Sequence, residues 1–170
     1  KWNIADWIIS NFPPHKMYIE PFFGSGAVFF KKQLVGIETI NDMDDEIVNL
    51  FSVIRNRADE LVKLIEMTPY SRTEFNLSWE EKAADELEQA RRFLVRCWQG
   101  FGGKTSNKPG WGDVRTTNMY QSKTKTWSNL PERILAICER LKNTQIENQD
   151  ALKIIQMYDR ENALIYIDPP

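Results

Sequence analysis

Residues 18–30 read Tyr-Ile-Glu-Pro-Phe-Phe-Gly-Ser-Gly-Ala-Val-Phe-Phe, YIEPFFGSGAVFF in one-letter code. The apolar run that ends at Glu20 predicts a strand. Pro21 to Gly26 predict a turn, and Ala27 to Leu34 predict a helix. Working outward, Asn3 is placed to cap a short helix with Asp6 in its first turn and Trp7 and Ile8 facing inward, and "FPPH" stops it. "VGIETI" predicts a second strand, closed by Asn41 and Asp42. Ile47, Leu50, Phe51 and Ile54 predict a helix, and Leu61 to Ile65 another. Ser78 with Glu81 has the spacing of a capping box opening a helix to Gln99, and Pro131 opens a further one. "TQIEN" and "ALIYI" predict the third and fourth strands, with "DALKIIQMY" a short helix between them. Strands alternating with helices imply an α/β fold with a parallel sheet, interrupted after the second strand by a mostly helical insertion.

Each predicted strand ends near a carboxylate: Glu20, Asp42, Asp150 and Asp168. In a doubly wound sheet those ends share one edge, and ligands bind there where the strand order reverses. Asp42 and Asp150 also have the positions of helix caps, which is the competing reading for each. Gly24 and Gly26 permit a tight turn and a close approach to the backbone. A dinucleotide fingerprint needs a third glycine where Phe29 stands, and Glu20 is a poor neighbour for a pyrophosphate. It is a good neighbour for a cation. The spacing therefore favours a nucleoside with a positively charged tail. S-adenosylmethionine fits, with an ammonium and a sulfonium for carboxylates, ribose hydroxyls for the acid after the second strand, and an adenine amine for Asp150. A turn serving only helix–sheet packing remains the alternative.

Composition narrows the rest. The chain has 170 residues, 42% hydrophobic and 27% charged, with a net charge of −2. No apolar run is long enough to span a membrane. Cys97 and Cys138 are read as reduced core thiols, and with the single histidine, His15, they make no standard zinc site, so no metal is expected. The expected compartment is the cytoplasm. Between Arg91 and Trp127 lie eight basic residues and one acid, Asp113. Such a zone on an acidic body fits a polyanion partner, or else a solvated loop.

Three stretches resemble the Dam-type, alpha-class DNA adenine-N6 methyltransferases. "YIEPFFGSGAVFF" is similar to their glycine-rich cofactor motif, "INDMDDEIVNLFSVI" to the motif whose acid holds the cofactor ribose, and "YIDPP" to the start of their catalytic Asp-Pro-Pro-Tyr. The resemblance implies a Rossmann-like S-adenosylmethionine domain over 1–56 and 144–170 and a target-recognition insertion over 57–143, with a basic loop at about 100–129. It implies cofactor contacts from Lys1, Trp2, Glu20, Pro21, Phe22, Gly24, Ser25, Gly26, Asp42, Asp150, Ala151 and Asp168. Catalysis falls to Asp168, Pro169 and Pro170, and contacts to double-stranded DNA to Lys104, Lys108, Arg115, Lys123 and Lys125. It further implies that the chain stops inside the catalytic motif, before its tyrosine and the remaining strands. A sheet edge left uncovered in that way invites self-association. The expected reaction is methyl transfer from S-adenosylmethionine to the N6 amine of adenine in DNA, in a bacterial or phage-infected cell. Methylation of a cytosine amine, an RNA base or a protein amide, and a non-catalytic DNA- or cofactor-binding module, stand as alternatives.

Overall fold

The computed structural model describes residues 1–80, 83–103, 107–113 and 123–170. It divides into two compact units, residues 1–51 with 139–170, and residues 52–138. None of the described helices is long and apolar enough to cross a membrane.

The first unit is built on a parallel sheet of four strands: β1 (Met17–Glu20), β2 (Ile37–Asn41), β3 (Thr144–Glu147) and β4 (Ala163–Ile165), in the order β3-β2-β1-β4. All four predicted strands are present. The order runs outward from β1 through β2 to β3, then returns to the far side of β1 with β4. The strand-order reversal thus lies between β1 and β4, and every strand presents its carboxyl end to one edge.

Helix α1 (Ala5–Ser10) forms, but not as expected. Ile4 occupies the cap position without a side-chain bond, the turn being closed by Ile4 N–H donating to the Lys1 carbonyl at 3.0 Å. Asn3 is therefore no cap, and Trp7 is 71% exposed rather than inward. Residues Ala27 to Lys32 also depart from expectation. They make isolated helical bonds, Phe30 N to Gly26 O and Lys32 N to Val28 O, both 2.9 Å, without a regular helix. Valine and phenylalanine are weak helix formers, and Ala27, Val28 and Phe29 are all buried. One coiled turn inserts this run into a cluster in which Phe23 meets Phe29, Phe30 and Phe51 edge-on, at centroid distances of 5.5, 5.8 and 4.8 Å. Gly26, at φ 62°, is required twice over: a Cβ there would lie 2.5 Å from Phe23 Cζ and 2.6 Å from Phe30 Cε2.

Two polar anchors tie this unit together. Glu38 of β2, buried, accepts from Lys32 Nζ at 2.9 Å and from the Arg140 guanidinium. Burial pushes its carboxyl up, but the bonds from Arg140 and Lys32 more than offset this and hold it below the usual range. Asn41, at the carboxyl end of β2, is 1% exposed. Its amide donates to Pro21 O at 2.9 Å and Gln149 O at 3.0 Å, and its Oδ1 accepts from Gln149 N–H at 2.8 Å. One side chain thus joins the segments that leave β1, β2 and β3.

The second unit is helical, and α2 (Asp45–Met67) and α6 (Leu130–Leu141) each run across its boundary with the first. α2 holds the two predicted helices as one run broken at Arg57, whose φ −139° and ψ 36° are not helical. Asp44 opens it, accepting from Glu46 N–H at 2.9 Å. Ser78 lies inside α3 (Arg72–Glu80) and bonds to Phe75 O, while Glu81 lies outside the described residues. The cap of α4 (Glu86–Gln99) is instead Asp85, whose carboxylate accepts from Glu88 N–H at 2.8 Å. Buried Gln99, at the end of α4, accepts from Ser71 N–H at 3.0 Å and donates to Pro69 O at 3.1 Å. Helix α5 (Lys123–Ser128) buries Trp127, whose indole donates to Thr68 O at 2.8 Å.

Asn41→Ala should lower the unfolding free energy by about 2 kcal/mol, since two carbonyls and one N–H lose a buried partner. Urea denaturation measures this, and an unchanged midpoint would show that the joint is dispensable.

Candidate active site

The carboxyl edge of the sheet divides into two neighbouring places. The first lies at the reversal between β1 and β4. Glu20, the last residue of β1, is 3% exposed, and its Oε2 accepts from the Tyr18 hydroxyl at 3.1 Å. Three residues past β4, Asp168 Oδ2 accepts from Lys1 Nζ at 2.6 Å and from the Tyr166 hydroxyl at 3.2 Å. The register Ile19↔Ile165, continued by Tyr166 N–H donating to Ile19 O at 2.9 Å, sets β4 beside β1 up to this point. Burial pushes the Glu20 carboxyl up to about 8. The Tyr18 hydrogen bond opposes this, nearby Asp168 adds to it, and Lys1 and Lys32 reduce it. A buried acid that resists ionising is suited to a cationic guest, because the guest repays the cost of its charge.

The second place is the glycine turn. Gly24 N–H donates to Asp42 Oδ2 at 2.8 Å, while Asp42 Oδ1 accepts from Asp44 N–H at 3.0 Å. Asp42 thus links the turn after β1 to the end of β2, and Asp44 rather than Asp42 caps the helix. A Cβ built on Gly24, at φ 50°, would meet nothing within 4 Å, so the turn's outer surface is open. A cleft opens beside it, with an apolar wall that includes Phe23, Ile40, Ile47 and Phe51 and with Asp42 and Glu147 among its polar groups.

Pro21 is buried and offers its carbonyl to Asn41, Phe22 is half-buried, and Ser25 is exposed. Trp2 is 48% exposed. Asp150 caps α7 (Ala151–Tyr158), its Oδ1 accepting from Leu152 N–H at 3.0 Å and Lys153 N–H at 3.3 Å, and Ala151 is buried beneath it. Pro169 and Pro170 are exposed. In the second unit, Lys108 faces Glu80 at 3.6 Å. Lys123 Nζ donates to Gly100 O at 3.2 Å, and Lys125 is exposed on α5. Lys104 and Arg115 lie outside the described residues. Trp98 lies under the Arg133 guanidinium at 5.7 Å, and Phe101 is 72% exposed. Among the described residues no group of three or more histidine, cysteine or acidic side chains is placed to hold a metal.

Sequence reasoning missed Asn41, Tyr18 and Tyr166. A signal for the tyrosines is present in hindsight: "YIEP" and "YIDP" repeat one spacing, tyrosine two residues before an acid and the acid before proline. Asn41 read only as a strand stop.

Two curated relatives and one family profile match this chain. M.MjaIII, a type II methyltransferase of Methanocaldococcus jannaschii, is 25% identical over 196 residues, an alignment that takes in 100% of this chain and 65% of the relative. A DNA N-6-adenine-methyltransferase of Escherichia phage P1 is 27% identical over 115 residues, covering 62% of this chain and 15% of the relative. The chain therefore spans less than two thirds of the length of either curated relative. The family profile extends over the whole of residues 1–170, so that the glycine turn, Asp42 and Asp168 all fall within it, and the chain belongs to the D12 class N6 adenine-specific DNA methyltransferase family.

Proposed function

We propose that this chain carries the cofactor site and catalytic acid of a site-specific DNA methyltransferase that methylates the N6 amine of adenine. The observation that carries the reading is the gathering of Glu20, Asp42 and Asp168 at one sheet edge, beside an open glycine turn and at the strand-order reversal. The donor set suits S-adenosylmethionine: a buried carboxyl for positive charge at Glu20, an acid for hydroxyls at Asp42, and an apolar cleft beside the turn. Lys1, Trp2, Pro21, Phe22, Ser25, Asp150 and Ala151 complete the proposed cofactor contacts. When bound, S-adenosylmethionine supplies an electrophilic methyl group.

Adenine's exocyclic amine is a poor nucleophile, because its lone pair is delocalised into the ring. Asp168 accepts one hydrogen bond from that amine and the Pro169 carbonyl accepts another, turning the nitrogen toward tetrahedral geometry and localising the lone pair. Pro169 and Pro170 present carbonyls without competing N–H donors. A base inside a duplex must leave the stack to reach this edge. We assign the phosphate contacts that hold the duplex to the basic zone of the insertion, through Lys104, Lys108, Arg115, Lys123 and Lys125. Residues 1–56 and 144–170 serve as the catalytic domain and residues 57–143 as target recognition, a division supported by the two compact units. On this reading the protein works in the cytoplasm of a bacterial or phage-infected cell.

Two substitutions separate binding from chemistry. Asp42→Ala should weaken S-adenosylhomocysteine binding at least tenfold by calorimetry, as expected for a lost charged hydrogen-bond acceptor. Asp168→Ala in the intact protein should abolish methyl transfer while leaving that affinity within a few fold. Retained activity would remove Asp168 from catalysis.

Glu20 also makes cofactor binding pH-dependent. With its folded value raised from 4.5 to about 8, the carboxyl is mostly protonated near neutrality, and a cation must displace that proton. Affinity should rise as pH increases toward about 8 and then level off, with proton release visible in calorimetry across buffers of different ionisation enthalpy. Glu20→Gln should flatten the profile. Without ligand the linkage has the opposite consequence: the stability contributed by the neutral carboxyl is complete below 4.5 and lost as pH rises through about 8.

A further inference from the structure

The two strands that flank the reversal end in the same device. Tyr18 serves Glu20 from two residues back on β1, and Tyr166 serves Asp168 in the same way beyond β4. Tyr18 pairs in register with Leu164, so Tyr166, two residues on, comes level with Glu20 and on the same face of the sheet. It thus stands between the two acids and donates to Asp168, while Glu20 has its own donor.

The donors to Asp168 are loaded asymmetrically. Both Lys1 Nζ and the Tyr166 hydroxyl fall on Oδ2, and among the described residues no group donates to Oδ1. The two donors differ in kind. The Lys1 side chain is 52% exposed, long and flexible, so its ion pair fixes orientation weakly. The Tyr166 ring is half-buried and packs on Phe12 at a centroid distance of 5.9 Å, which leaves its hydroxyl little freedom. Burial, with the charge of Asp168 next, pushes that hydroxyl up to about 12, so it stays a donor at any working pH.

We propose that Tyr166 is a positioning residue for methyl transfer: it pins one oxygen of Asp168, leaving the other as the acceptor for the adenine amine. This rests on the assignment of Asp168 as catalytic acid. A carboxylate held by one oxygen cannot rotate to share both with its donors, and the direction of the remaining acceptor follows from the fold. Small errors of direction at a reacting group cost rate rather than affinity.

The test is Tyr166→Phe in the intact protein, which deletes the hydroxyl and keeps the ring on Phe12. The single-turnover rate of methyl transfer to duplex DNA should fall roughly tenfold. KM for DNA and Kd for S-adenosylhomocysteine should stay within twofold, and Tyr158→Phe, which removes a hydroxyl bonded to Gln145 away from this edge, should leave the rate unchanged. Lys1→Gln and Tyr166→Phe should be non-additive, since both donors act on Oδ2. A wild-type rate for Tyr166→Phe beside an inactive Asp168→Ala overturns the positioning role and leaves the functional reading standing. An active Asp168→Ala overturns both. A Tyr166→Phe loss that tracks a weaker S-adenosylhomocysteine Kd also overturns the positioning role.

Discussion

The carboxyl edge of the sheet is held in shape by the side chain of Asn41. A four-stranded parallel sheet fixes its strands by backbone hydrogen bonds, but the segments that leave those strands have no such ladder. Asn41 supplies the missing bonds: its amide reaches Pro21 O and Gln149 O, and its Oδ1 takes the Gln149 N–H. Its own carbonyl accepts from Phe23 N–H at 2.9 Å. The glycine turn, Asp42 and the cap Asp150 are all within two or three residues of these atoms. An amide is the side chain for the task because it donates and accepts at once, and burial makes each bond costly to lose.

Charge is placed inside this unit with matching care. Glu38 sits one register step from the interior of β1, facing Tyr18, and is neutralised by Lys32 and Arg140. The same Lys32 ammonium lies over the Tyr18 ring at 4.5 Å, and Arg140 over Phe29 at 4.0 Å. These cations are bound up by Glu38 and by aromatic faces. Glu20, at the end of the neighbouring strand β1, is left with a tyrosine and no direct ion pair among the described residues. That contrast explains why one buried acid of the sheet stays ionised while its neighbour is pushed toward the neutral form.

The helical unit uses the same economy to fix the start of the basic segment. Gln99 ties the end of α4 to Pro69 and Ser71, its carbonyl takes Gly112 N–H at 2.7 Å, and the Tyr70 hydroxyl donates to Gly112 O at 2.6 Å. Lys123 Nζ donates to Gly100 O and lies 5.6 Å from the Phe101 ring. Exposed Phe101 and Lys108 therefore project from a backbone whose described ends are anchored.

Local sequence determined the four strands, the glycine turn and the common placement of Glu20, Asp42, Asp150 and Asp168 at strand ends, because apolar runs, turn residues and caps act over a few residues of chain. It erred where short-range signals were ambiguous. Ser78 and Asp85 both carry an acid three residues on, and the helix starts at the second. Ala27 to Lys32 has a helix-like pattern, yet burial of consecutive apolar residues gives a single coiled turn. What only the tertiary structure decided is which groups meet. Asn41 and Gln149 are 108 residues apart, and Lys1 meets Asp168 across nearly the whole chain. Those meetings follow from the order β3-β2-β1-β4, a long-range result of packing that no local spacing encodes.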